Sequence, residues 1–400
     1  MVQRRKRGAA IAVVATTKMR LPAFASAHSH AFQRVMRGRA QRARPRGTGR
    51  GSDGTRDDFW SWRAAMYELA RSLDPVSIAR VSEVAFRELA AAGVRTVGEF
   101  HYVHHQPDGA PYAERTILAD AVIAAARRAG LRIALLRVAY ARAGAGLPPE
   151  PSQRRFCDGD PDDVLRDVET LRARYRGDDD VRIGVAPHSV RAVPPAWIAR
   201  LADGARAMGV PFHMHVAEQP AEIEACLAET GKRPVELLAD LGVLDDRFVA
   251  VHATHLAAHE AKLLGAARSF ACICPTTERD LGDGLPDLAA LRQAGARICV
   301  GVDSHIVCDP LEEIRALETG ERLRTGTRNT ISEAVSEGRS PAVQLWHEGS
   351  LASARACGFD DVGGEVSIDR DDPSLALVDG ERLLDALVFG GSPRAVRRAW

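Results

Sequence analysis

From residue 21 onward, short and nearly continuous apolar runs alternate with longer stretches whose apolar residues recur every three or four positions. The runs fall at 21–28, 94–102, 131–140, 181–188, 210–215, 248–252, 270–275 and 298–303. Runs with so few polar positions predict parallel strands covered on both faces. The longer stretches, such as 75–92, 116–129, 195–208 and 220–229, predict amphipathic helices. Several open on a proline (Pro75, Pro195, Pro220), where the missing N–H costs nothing, and several close beside a glycine, as at Gly93, Gly130 and Gly209. Eight strands, mostly with a helix after each, predict a closed (β/α)8 barrel of the TIM type. An open doubly wound sheet is the alternative; the first βα turn has no G-x-G-x-x-G, which argues against its dinucleotide-binding form.

Most of these runs end in a residue that can do chemistry: His28 and His30, Glu99 with His101, His188, His215 with Glu218, His252 and Asp303. In a barrel all the C-terminal strand ends meet at one mouth, so residues far apart in sequence converge there. His28 and His30 are two apart, and the strand period of two points both to the same side. His215 and Asp303 end two further strands. Three imidazoles and one carboxylate suit a single divalent metal ion, Zn²⁺ before others, with a position left for water. His213 could also face inward; His215 is preferred because Glu218 follows it by three residues, leaving His213 as a packed residue one layer down. Such a metal acidifies its water, and Asp303, His252 and Glu218 are the candidates for moving protons. His101, His104 and His105 are read as solvated loop residues with no metal role.

Composition narrows the field. An apolar share of 46% in 400 residues provides for a large core, and a formal net charge of +1 gives no field for nucleic acid or a membrane surface. The seven scattered cysteines suit a reducing cytoplasm, and Cys272 and Cys274 read as buried strand residues. The start imitates a signal peptide, with Arg4, Arg5, Lys6 and Arg7 before a short apolar run at 9–15. Cleavage near 23–27 would destroy the first strand, so export is rejected. No stretch reaches the roughly 18 apolar residues of a membrane helix. Residues 37–57, rich in Arg and Gly, predict a long loop on the active-site side, solvated or a lid that attracts anions. The default oligomer is a homodimer.

The strings H-S-H at 28–30, P-H-S at 187–189, H-V-A-E at 215–218, V-H-A-T-H at 251–255 and V-D-S at 302–304 resemble the amidohydrolase superfamily. The longer strings H-S-H-A-F-Q-R at 28–34, F-W-S-W-R at 59–63, G-E-F-H-Y at 98–102, and C-P-T-T-E at 274–278 with L-G-D-G at 281–284 look like its N-formimidoyl-L-glutamate deiminases. The resemblance runs from about residue 21 to the C-terminus. It implies a zinc site of His28, His30, His215 and Asp303, water activation by His252 with Asp303, and a proton shuttle at Glu218. It implies substrate contacts from Gln33, Arg63, Tyr102, His188 and Arg191. The implied substrate is a small dianionic amidine; paired hydrogen bonds from two arginines suit its carboxylates. Arg63 lies in the amphipathic segment 58–70, where an arginine usually faces solvent, and only Trp60 and Trp62 argue for burial. Arg191 lies just past the fourth strand and is better placed.

The resemblance also implies a small β-sandwich built from both chain ends, so 21–349 is read as the barrel and 1–20 with 350–400 as that appendage. Residues 13–14, 375–378, 386–389 and 396–400 are its expected strands, and the appendage is expected to be incomplete, because only 27 residues precede His28 and the chain stops at Trp400. Two competing readings remain: a deaminase of a nucleobase or related heterocycle, which should not need Arg63 and Arg191, and a degenerate, non-catalytic metal-binding barrel.

Overall fold

A computed structural model of the chain describes residues 19–41, 57–333 and 340–400. Eight strands form one sheet, all parallel and in sequence order: β2 (Phe24–Ser29), β3 (Val94–His101), β4 (Arg132–Ala139), β5 (Val181–Pro187), β6 (Phe212–Val216), β7 (Phe248–His252), β8 (Phe270–Ile273) and β9 (Arg297–Val300). The segment after β9 closes the ring: Ser29 and Asp303 form a parallel bridge, and Asp303 N–H donates to the His28 carbonyl over 3.1 Å. The sheet is therefore the (β/α)8 barrel that the apolar runs predict. Every residue of β2, β4, β6, β7 and β8 is buried, which is why these strands read as unbroken runs.

Helices surround the sheet, among them α1 (Phe59–Arg71), α2 (Pro75–Ala91), α3 (Ile117–Ala129), α4 (Pro161–Arg174), α5 (Pro195–Met208) and α6 (Pro220–Thr230). Local chemistry sets their ends. Asp58 and Asp74 each accept from the backbone N–H three residues on, while Ser61 and Ser77 return the bond, the reciprocal cap that satisfies two otherwise orphaned donors. Gly130 and Gly209, at φ +76° and +65°, end α3 and α5 in the left-handed conformation that glycine adopts without a Cβ clash.

The expected strand 21–28 is two elements. Met19–Pro22 (β1) pairs antiparallel with Glu365–Ile368 (β10), which also pairs with Val396–Arg398 (β11), making a separate three-stranded sheet. The chain changes partner at Ala23 and Phe24, whose N–H groups bond to Gly364 and Gly93. Burial alternates along β1, as on a surface sheet, but is continuous along β2.

Two strands expected near the C-terminus are absent. Asp372 caps a short 3₁₀ turn at Pro373–Leu375, and 376–378 run on as a turn. Residues 386–389 belong to the helix Leu383–Gly390, which buries Leu383, Leu387 and Val388; that spacing is helical rather than alternating. The strand expected at 396–400 is present as β11. The basic start, the run at 9–15, residues 13–14 and most of the arginine-rich loop (42–56) lie outside the described residues. Among the described residues, no helix is long and apolar enough to cross a membrane.

Candidate active site

The barrel mouth gathers the strand-end residues. His28, in β2, and His30, just past it, bring their Nε2 atoms within 3.2 Å of each other, and His215 Nε2 on β6 lies 3.2 Å from His28 Nε2. Asp303 Oδ1 is 3.4 Å from the Nε2 atoms of both His28 and His30. The far sides of two rings fix their tautomers. His30 Nδ1 donates to the Phe100 carbonyl over 2.9 Å and His215 Nδ1 to the His188 carbonyl over 3.0 Å. A carbonyl only accepts, so both Nε2 atoms are bare and turn their lone pairs toward His28. One proton cannot satisfy this convergence, whereas a divalent cation does; ligands about 2.1 Å from a tetrahedral ion lie ~3.4 Å apart. Burial holds all three imidazoles in the neutral, ligating form: His28 falls to about 3, His30 is lowered and His215 lies well below its ordinary value. His213 points elsewhere, its Nε2 bonding to the Ala356 carbonyl at 2.8 Å.

Beside this cluster stands a second group of titratable side chains. His252 Nε2 lies 3.7 Å from Glu218 Oε1 and 3.8 Å from Asp303 Oδ2, while its Nδ1 lies 3.3 Å from Glu278 Oε1. Burial opposes a charge on His252, but Glu218, Glu278 and Asp303 outweigh it and raise the imidazole to about 10. Burial pushes the Glu218 carboxyl above its ordinary value. For Asp303, burial is outweighed by the hydrogen bond from His28 and by the neighbouring imidazoles, so its carboxyl is held below the usual range. His252, Ala253, Ala217 and Asp303 all have φ between +49° and +69°. Each such non-glycine residue costs roughly 1 kcal/mol, and such strain collects where side-chain aim is overdetermined by its surroundings.

Glu278 had no assigned role in the sequence reading. It is buried in the short helix Pro275–Leu281 directly after β8, and the Cys274 N–H pins its Oε1 at 2.9 Å. Its signal was available: a carboxylate in the first turn beyond a strand, like Glu218. Below the cluster, Glu99 accepts from Ser29 Oγ (2.6 Å) and the Ala31 N–H (2.8 Å), and burial raises its carboxyl to about 8. His101, His104 and His105 are buried, not solvated. The loop folds inward, with His104 Nε2 bonding to the Val138 carbonyl and His105 lying 3.4 Å from buried Asp158.

The residues implied for substrate contact lie on one side of this group. Gln33 Nε2 donates to the Tyr102 hydroxyl over 2.9 Å. The Tyr102 ring lies 5.1 Å from His30 and 5.7 Å from His188, whose ring is 4.8 Å from His215. Burial lowers His188 well below its ordinary value, keeping it neutral. The Arg63 and Arg191 guanidiniums both lie over the Trp60 ring, at 4.5 and 5.2 Å from its centroid; Trp62 packs instead on Phe59. Arg63 is therefore drawn in rather than solvated. Gln33 Oε1, Arg63 Nη1 and Arg191 Nε are buried without a hydrogen-bond partner. Native structures leave few such atoms unpaired, and a group of them at one mouth marks a place made for a polar ligand.

Comparison with known proteins agrees with this geometry. The profile described as "Amidohydrolase family" matches residues 19–399. Formimidoylglutamate deiminase of Pseudomonas aeruginosa is 36% identical over 383 residues, covering 94% of this chain and 82% of the relative. The 8-oxoguanine deaminase of the same organism is 28% identical over 391 residues, covering 94% and 80%. The crystal structure of an amidohydrolase from Brucella melitensis superposes with a TM-score of 0.84 at 35% identity, covering 95% of this chain and 82% of that one. With a barrel closed at Asp303 and three histidines facing one point, the chain belongs to the amidohydrolase family. It is an enzyme, a deaminase that hydrolyses C–N bonds of small molecules, and members of this superfamily bind a metal.

Proposed function

We propose that the chain hydrolyses N-formimidoyl-L-glutamate to N-formyl-L-glutamate and ammonia, a step of histidine breakdown. The observation that carries this reading is the pair of guanidiniums astride Trp60 with buried N–H groups unspent. A substrate with two carboxylates uses both; a flat, uncharged heterocycle leaves both unpaired in a buried place, at about 1–3 kcal/mol for each lost partner. The similarity to formimidoylglutamate deiminase supports the same substrate.

His28, His30, His215 and Asp303 would hold one divalent ion, and three nitrogens with one carboxylate favour zinc. Bound there, it would supply Lewis acidity and make a water easier to deprotonate. The chain's own residues do the rest. Arg63 and Arg191 take the two carboxylates by forked hydrogen bonds. Because Gln33 gives its NH2 to Tyr102, its bare carbonyl oxygen is left to accept from the cationic amidine. His188, neutral and half-buried, walls this side. Asp303 accepts the proton of the water that attacks the formimidoyl carbon, and His252 orients that water between Asp303 and Glu218. Glu218, in its protonated form, gives its own proton to the terminal nitrogen once the carbon–oxygen bond has formed. It then takes the proton of the new hydroxyl as the C=O forms, the carbon–nitrogen bond breaks and ammonia departs, and the proton left on Asp303 leaves with the ammonia as ammonium.

The catalytic unit is taken as 23–349 rather than 21–349, because Leu21 and Pro22 pair with β10 in the three-stranded sheet, with the chain before it and 350–400 as the appendage; every residue named in this mechanism lies between 28 and 303. The seven cysteines, all free, support a reducing, cytoplasmic setting. The test is product identification by mass spectrometry for the zinc-loaded wild type, Arg191→Ala and Asp303→Ala. Formylglutamate from the wild type, lost in both variants, is expected. Full turnover by Arg191→Ala would remove the substrate assignment.

A further inference from the structure

Behind the two arginines lies a group of three buried polar side chains that the mechanism does not use. Tyr67, one turn after Arg63 on α1, and Tyr140, just past β4, bring their hydroxyls within 2.9 Å. Gln153 Nε2 lies 3.1 Å from the Tyr140 hydroxyl and 3.4 Å from that of Tyr67. Gln153 cannot be turned around, because its Oε1 accepts the Glu150 N–H at 2.8 Å. Its two amide hydrogens therefore both point at the phenols.

The hydrogen count leaves a remainder. Each phenol oxygen accepts from Gln153, and one phenol donates to the other. The second phenol hydrogen has no acceptor among the described residues. Both rings are buried, and burial holds the Tyr140 hydroxyl protonated, well above its ordinary value. The spare donor sits between the substrate-facing groups: the Arg63 guanidinium is 5.5 Å from the Tyr67 ring centroid, and the Tyr140 ring is 4.9 Å from His188. Phe156 packs against both tyrosines, at 5.4 and 6.3 Å, so the pair is backed by an apolar wall.

We infer that Tyr67, Tyr140 and Gln153 form the floor of the carboxylate site, and that one phenol O–H donates to a substrate carboxylate between Arg63 and Arg191. This inference rests on the reading of the site as one for a dianionic substrate. It makes the tyrosine pair a specificity determinant: the charge comes from the arginines, and the neutral donor fixes where the carboxylate lies. Either phenol can carry the outward hydrogen, so a single Tyr→Phe change keeps one donor but removes the partner hydroxyl that holds it in place, and the double change removes the donor.

The test uses full-length, zinc-loaded protein as wild type, Tyr67→Phe, Tyr140→Phe and the double variant. L-Glutamate binding is measured by calorimetry and N-formimidoyl-L-glutamate turnover by ammonia release, with zinc content and melting temperature recorded. The double variant is expected to lose roughly 10- to 100-fold in L-glutamate affinity and to raise KM similarly, with kcat changed much less and the single variants in between. If the double variant does not fold, the two single variants must still show intermediate losses. Wild-type affinity and KM in the double variant overturn the inference while leaving the proposed function standing, as does a wild type that turns over the substrate without binding L-glutamate. L-Glutamate binding that depends on the tyrosines, with no turnover of N-formimidoyl-L-glutamate by the wild type, supports the carboxylate floor and removes the proposed function.

Discussion

Replacing Glu278 by glutamine should slow the chemical step without unloading the site. Glu278 Oε1 lies 3.3 Å from His252 Nδ1 and takes the Cys274 N–H at 2.9 Å. The amide of Glu278→Gln can keep both contacts through its oxygen, so shape is preserved and only charge is lost. A hydrogen bond to a charged partner exceeds a neutral one by about 1–2 kcal/mol. If that difference serves to hold His252 in its aim at Asp303 and Glu218, kcat falls roughly 5- to 30-fold while KM stays near wild type. Glu278→Ala should do more, because it leaves the buried Cys274 N–H and His252 Nδ1 without partners. A larger fall in kcat and a stability loss of about 1–3 kcal/mol are expected. The assay is steady-state ammonia release, with metal content measured on the same samples so that lost metal is not mistaken for lost positioning. A glutamine variant with metal content and kcat both within twofold of wild type would show that the charge of Glu278 plays no part in aiming His252.

Three further outcomes follow from particular contacts. Arg137 is fully buried and bonds to both Asp158 and Asp167; Arg137→Met removes the cation the two share, leaving Asp167 to Arg115 and Asp158 to His105, and should cost about 3 kcal/mol in denaturant unfolding, while a loss below 1 kcal/mol would contradict this. Burial raises the Glu222 carboxyl from 4.5 to about 7, with Arg191 opposing. Between those values the folded protein keeps a proton that the unfolded chain releases, so stability is highest below the lower value and falls as pH rises through the window, by about 3 kcal/mol in all. Glu222→Gln should flatten that part of the curve of melting temperature against pH, and curves that stay parallel for the two proteins would show that the group does not titrate there. Chelation should lower the melting temperature by several degrees and restoring zinc should recover it, since a ligand that binds only the folded form stabilises it; an unchanged melting temperature after complete metal removal would count against the assigned ligand set.

The barrel was legible because its strands are covered on both faces, which turns them into unbroken apolar runs. The cluster was legible because barrel geometry brings strand ends together: His28, His215, His252 and Asp303 could be placed without knowing a single distance. What escaped depends on tertiary context. The division of 21–28 into β1 and β2 turns on a change of partner at Ala23, which leaves no mark in hydrophobicity. The helix at Leu383–Gly390 carries an apolar run too short to tell helix from strand by period. The inward turn of Arg63 depends on Trp60 being shared with Arg191, a residue more than a hundred positions away. His104 and His105 read as solvated because their partners, Val138 and Asp158, come from neighbouring elements, and His101 because its burial is set by packing around the end of β3. Glu278 closes the string C-P-T-T-E just past a strand end, yet nothing in those residues shows that it faces His252.

Substrate choice at the two guanidiniums decides between the dianionic amidine and a nucleobase. The most direct measurement is ammonia release by the purified, zinc-loaded protein offered N-formimidoyl-L-glutamate beside guanine, cytosine and adenosine under one set of conditions. Ammonia from N-formimidoyl-L-glutamate alone is the expected result. Ammonia from a nucleobase or nucleoside, with none from the formimidoyl compound, would keep the barrel and its metal cluster and contradict the assigned substrate.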